Sequence, residues 1–142
     1  MQTPTRAQLE KWARGYTELW NAGDKPAWVA NWKSVAPGEF RMLDPVGTPE
    51  RRGFEECASK PYDLFQPALR LVVPEATRFL CANEVGWVME NHFTVDGELI
   101  VMRSLECFRF DGGSVSIKTY YDVPRSDSPL GRFFSKYLPG VA

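Results

Sequence analysis

Across residues 84–122, apolar and polar positions alternate with a period of two. The alternation falls into three runs, separated by Asp96-Gly97 and by Asp111-Gly112-Gly113. Asp-Gly between alternating runs tolerates the positive φ that tight hairpin turns need, so this stretch predicts an antiparallel three-strand meander. On the first strand Trp87, Met89, Asn91 and Phe93 share a face, opposite Val88, Glu90, His92 and Thr94. On the second, Met102, Ser104, Glu106 and Phe108 oppose Arg103, Leu105, Cys107 and Arg109. On the third, Ser116, Lys118, Tyr120 and Asp122 are read on the face of Glu106, although pairing across the turn sets Glu106 roughly opposite Thr119. Neither face is cleanly apolar, which predicts a sheet covered on both sides with polar groups turned into something other than bulk water.

Upstream, the period changes to that of helices. Thr5 and Gln8 have capping-box spacing, followed by Leu9, Trp12, Ala13, Tyr16, Leu19 and Trp20 on one stripe and a stop at Gly23. Tyr16 falls in the middle of that stripe, where its hydroxyl needs a partner. Asp24 can cap a second helix through Trp28, Val29 and Trp32, and Pro37-Gly38 ends the region. Residues 39–44 alternate as a strand that sets Asp44 on the face of Phe40 and Met42. A carboxylate there loses water and gains basicity, although an Asp-Pro pair also simply caps a turn.

Residues 48–53 read as a polar loop, residues 54–59 as a short helix broken near Pro61, and residues 69–73 and 77–82 as two short strands. Residues 1–125 form the expected domain. Residues 126–142 form a tail whose Phe133, Phe134, Tyr137 and Leu138 predict a short helix packing on the body or on a partner subunit. Helices followed by a run of strands predict an α+β domain, with a cavity between helices and sheet as the place for a small ligand.

Composition narrows the functional classes. A chain of 142 residues that is 44% hydrophobic can bury a core, and a net charge of -1 offers nothing to nucleic acid or an anionic membrane. No apolar run suits a membrane helix or a signal peptide. Cys57, Cys81 and Cys107 are odd in number and lack metal spacing, which points to reduced thiols and a cytoplasmic setting. The single histidine, His92, argues against the usual zinc sites and is read on the outer face with Arg103 and Arg109.

Four motifs in order resemble ketosteroid isomerase, of the nuclear-transport-factor-2-like superfamily that also holds the SnoaL-like polyketide cyclases. They are Arg14-Gly15-Tyr16-Thr17-Glu18-Leu19, Asn21-Ala22-Gly23-Asp24, Leu43-Asp44-Pro45-Val46-Gly47 and Leu105-Glu106-Cys107-Phe108-Arg109-Phe110-Asp111. The resemblance implies a conical α+β barrel, with a strongly curved, mostly antiparallel six-stranded sheet wrapped around three helices. It also implies a homodimer through the outer face of the sheet. In that chemistry an aspartate takes a proton beside a ketone while a tyrosine and a neutral aspartic acid hold the resulting oxyanion. By position Asp44 matches the base and Tyr16 the oxyanion tyrosine, and Glu106 stands where the neutral acid sits, one methylene longer.

Glu106 has two readings. An ion pair with Lys118 would keep it charged and structural, whereas surroundings of Trp87, Met102 and Phe108 would desolvate it into a neutral donor. Candidate ligand contacts are Trp32, Trp87, Met89 and Asn91, with Met102, Ser104, Lys118, Tyr120 and Asp122 further along the sheet. The leading expectation is a small enzyme without metal or cofactor that abstracts a proton next to a carbonyl, as an isomerase, dehydratase or cyclase. A non-catalytic ligand-binding or dimerisation module is the alternative. Epoxide opening is disfavoured, because Arg103 and Glu106 lack the Arg-x-Asp spacing of limonene-type epoxide hydrolases.

Overall fold

The structure, a computed structural model, describes residues 2–121, 131–132 and 135–136. Helix α1 (Arg6–Asn21) starts at the expected capping box: Gln8 N donates to Thr5 Oγ1 at 3.2 Å, and Thr5 N to Gln8 Oε1 at 2.8 Å. It ends where Gly23 takes φ +70°, which lets Gly23 N reach Trp20 O and Asp24 N reach Leu19 O. Asp24 then caps α2 (Lys25–Val35), accepting from Ala27 N at 3.0 Å. The two helices pack so closely that a Cβ on Gly15 would meet Asn31 at 2.8 Å, and Asn31 Nδ2 donates to Trp12 O. A π turn (Glu55–Ser59) leads into the short α3 (Lys60–Phe65).

Among the described residues, seven strands make one curved, unclosed sheet. They are β1 (Phe40–Leu43), β2 (Arg51–Arg52), β3 (Leu69–Val72), β4 (Phe79–Cys81), β5 (Glu84–Val95), β6 (Glu98–Asp111) and β7 (Ser114–Tyr121). The spatial order is β2-β1-β7-β6-β5-β3, with β4 also on β5, which is one strand more than the resemblance implies. β4 and β3 share the edge of β5, pairing with residues 84–86 and 90–93 respectively. All pairings are antiparallel except β1 with β7. The predicted α+β class holds, with three helices against a sheet.

Two devices fix the helices relative to the sheet. Asn21 exchanges two hydrogen bonds with the backbone of Leu71, and Trp20 Nε1 donates to Leu69 O at 2.8 Å, so the end of α1 is tied to β3. At the other end Trp12, Trp32, Trp87, Phe108 and Phe110 pack ring against ring, with centroids 4.7–5.5 Å apart around Trp12 and Trp87. Their burial supplies much of the hydrophobic stabilisation.

The third strand of the meander corrects the face assignment. Gly112 and Gly113 form a two-residue turn, both at positive φ, so Asp111 pairs with Ser114 and Glu106 with Thr119. Val115, Ile117 and Thr119 therefore point into the core beside Glu106, whereas Lys118 and Tyr120 are exposed on the outer face. A slip of one residue flips every side chain, which is why reading the faces one position out moved the whole set. Asp122 and most of the tail lie outside the described residues. Among the described residues, no helix is long and apolar enough to cross a membrane, and no three His, Cys, Asp or Glu side chains group to hold a metal.

Candidate active site

Between the helices and the concave sheet lies a cavity of about 310 Å³, at the small end for a ligand site. Its apolar walls include Trp20, Trp28, Met42, Leu71, Met89 and Met102. Asp44, Arg51, Glu106, Tyr16, Tyr121 and Asn91 supply polar atoms. Helix α1 delivers Tyr16 one turn after Trp12, and β6 delivers Glu106 two residues before Phe108.

Asp44 arrives by a non-local route. The parallel pairing of β1 with β7 sets Leu43 beside Lys118, and Val46 N donates to Thr119 O at 2.8 Å. The chain just past β1 is thereby laid along the end of β7, and Tyr121 Oη donates to Asp44 Oδ1 at 3.1 Å. Burial raises the Asp44 carboxyl above its ordinary value, while Arg51 and the Tyr121 hydrogen bond pull it back. Asp44 retains some accessible surface because it faces the cavity, whose walls of protein remove part of its water.

Glu106 is 5% exposed. Burial, then the charge of Asp44, push its carboxyl up to about 8, and hydrogen bonds to the charged form only partly oppose this. Trp87 Nε1 donates to Glu106 Oε1 at 3.1 Å, and the buried Thr119 hydroxyl beside it makes no hydrogen bond of good geometry. The pair with Lys118 does not form, because Lys118 lies across the sheet. With its carboxyl raised to about 8, Glu106 is mostly protonated near neutral pH, in the same cavity as Asp44.

Both phenols stay protonated. Burial, Glu106 and Asp44 hold Tyr16 well above the usual tyrosine range, and Tyr121 is raised by burial and by the same carboxylates. The Tyr16 hydroxyl has no hydrogen-bond partner among the described residues, so its proton is available to a ligand. Asn91 is likewise aimed by its neighbours. Its Nδ2 donates to Met102 O and Ser104 Oγ at 3.0 and 2.9 Å, which leaves Oδ1 as the free acceptor of a residue lining the cavity.

The structure thus brings Asp44, Tyr16 and Glu106 to one cavity, with Met89, Asn91 and Met102 in its wall. Ser104 and Trp87 stand one layer back, holding Asn91 and Glu106. Trp32 does not reach the cavity: it is core, packed on Trp12 and Phe40. Lys118 and Tyr120 are on the wrong side of the sheet. His92 sits on the outer face beside Glu90, bonded at 3.0 Å. Among the wall residues that the sequence reading missed, two touch Asp44. Tyr121 follows from the pairing of Glu106 with Thr119, a register the turn already signals. Arg51 has no local signal, because it belongs to a two-residue strand inside what reads as a polar loop. Cys57 also lines the cavity, but burial pushes its thiol to about 11, so it is not a thiolate nucleophile.

No family model and no curated protein matches the sequence. Solved structures do match. A protein from Jannaschia Sp. CCS1 assigned as a SnoaL-like polyketide cyclase superposes with TM-score 0.67 at 15% identity, covering 98% of both chains. SalBIII, an epoxide hydrolase/cyclase-like enzyme with a role in pyran ring formation in the polyether salinomycin, gives 0.63 at 16%, covering 81% of this chain and 91% of its own. An NTF2-like protein of unknown function from Cytophaga hutchinsonii ATCC 33406 gives 0.56 at 16%, over 94% and 97%. The chain has the nuclear-transport-factor-2-like α+β cone fold, in company with SnoaL-like proteins.

Proposed function

We propose that this protein is a cofactor-independent enzyme that abstracts a proton next to a carbonyl of a small metabolite. One arrangement supports the reading: a cavity is lined by the Asp44 carboxyl, by Glu106, whose carboxyl is raised to about 8, and by the Tyr16 phenol, which has no hydrogen-bond partner among the described residues. In the step proposed, Asp44 takes the α-proton and the C–H electron pair moves into the carbonyl, leaving an enolate. Tyr16 and neutral Glu106 hydrogen-bond the enolate oxygen. The proton then returns from Asp44 to a different carbon for isomerisation, or a leaving group departs for dehydration, or the enolate carbon attacks a second carbonyl for cyclisation. Tyr121 orients Asp44 and keeps it from becoming too strong a base to stay ionised.

The test is deuterium exchange at the α-carbon of small cyclic ketones, followed by NMR for wild type and Asp44→Asn. Exchange that depends on Asp44 supports the enzyme. Binding of the same ketones without exchange favours the non-catalytic module. Epoxide opening would use the same groups, with Glu106 or Tyr16 protonating the epoxide oxygen and Asp44 deprotonating the attacking hydroxyl. Incubating a hydroxy-epoxide with the protein and following ring opening by NMR separates the two. The outer sheet face, with Val101, Leu105 and Tyr120 between 43% and 50% exposed, is proposed as the homodimer contact of a cytoplasmic enzyme, to be checked by sedimentation.

A further inference from the structure

Arg51 is a cation in the cavity wall whose donors are only partly used. β2 is two residues long, but Met42 pairs with Arg51 across the ladder and Gly53 N donates to Phe40 O at 2.9 Å, so the backbone at Arg51 is held on both sides. One guanidinium nitrogen, Nη2, donates to the backbone O of Asp44 at 2.8 Å and lies 3.6 Å from the sulfur of Met42, a weak acceptor. The donors on Nε and Nη1 meet no acceptor among the described residues. Other cations with named partners behave differently: Arg6, Arg52 and Arg109 each pair with a carboxylate on the surface, and Lys60 at the cavity rim pairs with Glu56. Arg51, half-buried against apolar walls, forms no ion pair within 4.0 Å among the described residues; its charge is felt at Asp44, but that carboxylate accepts its hydrogen bond from Tyr121. Partly desolvating a guanidinium without a hydrogen-bonding anion is costly, and its planar donor set suits a carboxylate.

We infer that Arg51 is an anion subsite of the cavity, so the substrate is a small carbonyl compound that also carries a carboxylate. The carbonyl half of that description rests on the function proposed above, whereas the carboxylate half rests on Arg51 alone. A volume of about 310 Å³ restricts the ligand to a small cyclic or short-chain keto acid. Arg51 is then a specificity-determining residue that seats the carboxylate and turns the reacting carbon toward Asp44.

The probes are 3-oxocyclohexane-1-carboxylate and the matching neutral 3-oxocyclohexane-1-carboxamide, with Kd read by calorimetry and by the fluorescence of Trp20 and Trp28, which line the site. Wild type is expected to prefer the carboxylate by about tenfold or more, as a charge-assisted pair does. Arg51→Gln is expected to abolish that preference and leave carboxamide binding within about twofold, while Arg51→Lys restores part of it. In Asp44→Asn the preference persists and grows, because a neighbouring negative charge is gone. Proton exchange stops in that variant, so the subsite and the catalytic reading fail separately. Equal wild-type affinity for the two probes overturns the inference. So does an Arg51→Gln protein that melts normally yet weakens both alike, the mark of a residue that only balances the charge of Asp44. Should Arg51→Gln not fold, the wild-type preference and its loss with added salt decide the matter.

Discussion

The two ends of the cone are built from the same elements and do opposite things. At one end Trp12 from α1 and Phe108 and Phe110 from β6 are sealed against Trp32 and Trp87, with nothing to titrate. One helical turn further along α1, and two residues back along β6, the same faces present Tyr16 and Glu106 to a cavity. Moving by four on a helix or by two on a strand keeps the face and changes the depth. The sealed end supplies the rigidity, and the open end uses it to hold polar groups where water would otherwise relax them. Even Trp87 serves both, stacking on Trp12 while donating to Glu106.

The sharpest way to break this division is to exchange the expected losses between the ends. Asp44→Asn should lower α-proton exchange by roughly 10²–10⁴-fold with the fold intact, measured by NMR exchange and circular dichroism. Trp12→Ala should cost about 3–5 kcal/mol of stability in denaturant melts, because no side chain can fill the space it leaves. An Asp44 variant that unfolds, or a Trp12 variant of normal stability, would erase the distinction. Tyr16→Phe should keep the ring packing and lose roughly 10²-fold in exchange rate, since only the oxyanion donor is removed.

Glu106→Gln sharpens the comparison through pH. The proposed step needs ionised Asp44 and neutral Glu106, so the wild-type rate should rise as Asp44 ionises and fall around about 8. The amide cannot ionise but can still donate, so the variant should retain activity and lose the alkaline fall. Stability runs in parallel. Folded Glu106 binds its proton more tightly than unfolded Glu106, so its contribution is complete below the ordinary value of 4.5 and drains away as pH rises to about 8. Glu106→Gln should therefore narrow the gap between melting temperatures at about pH 5 and about pH 9. The smallest effect is expected for Tyr121→Phe, a few-fold in rate, together with an upward move of the acid limb as Asp44 loses a hydrogen bond to its charged form.

How far the sequence could be read depends on how local each cause was. The capping box at Thr5, the stop at Gly23 and the Asp96-Gly97 turn are each set within a few residues, and each element formed where expected. Trp87, Met89, Asn91, Met102, Ser104 and Glu106 fell on one face because alternation over a long hairpin is unambiguous. Lys118 and Tyr120 belong to the outer face because residues directly opposite in an antiparallel pair share a face, so the pairing of Glu106 with Thr119 turns Thr119 and its alternate neighbours inward. Arg51 and the meeting of Asp44 with Tyr121 come from pairings between distant segments, which no period in the chain records. The state of Glu106 was left between two readings for the same reason, since it turns on which neighbours the third strand sends inward.

The parallel run of β1 along β7 has a consequence for how the protein comes into being. Asp44 and Tyr121 are 77 positions apart, and the loop between them must close before either group has its neighbour. A ribosome that has released only the first hundred residues has already made Asp44, the phenol of α1 and half of the meander. Glu106 and the strand that seats Asp44 have yet to follow, so the cavity is completed only when β7 pairs with β1.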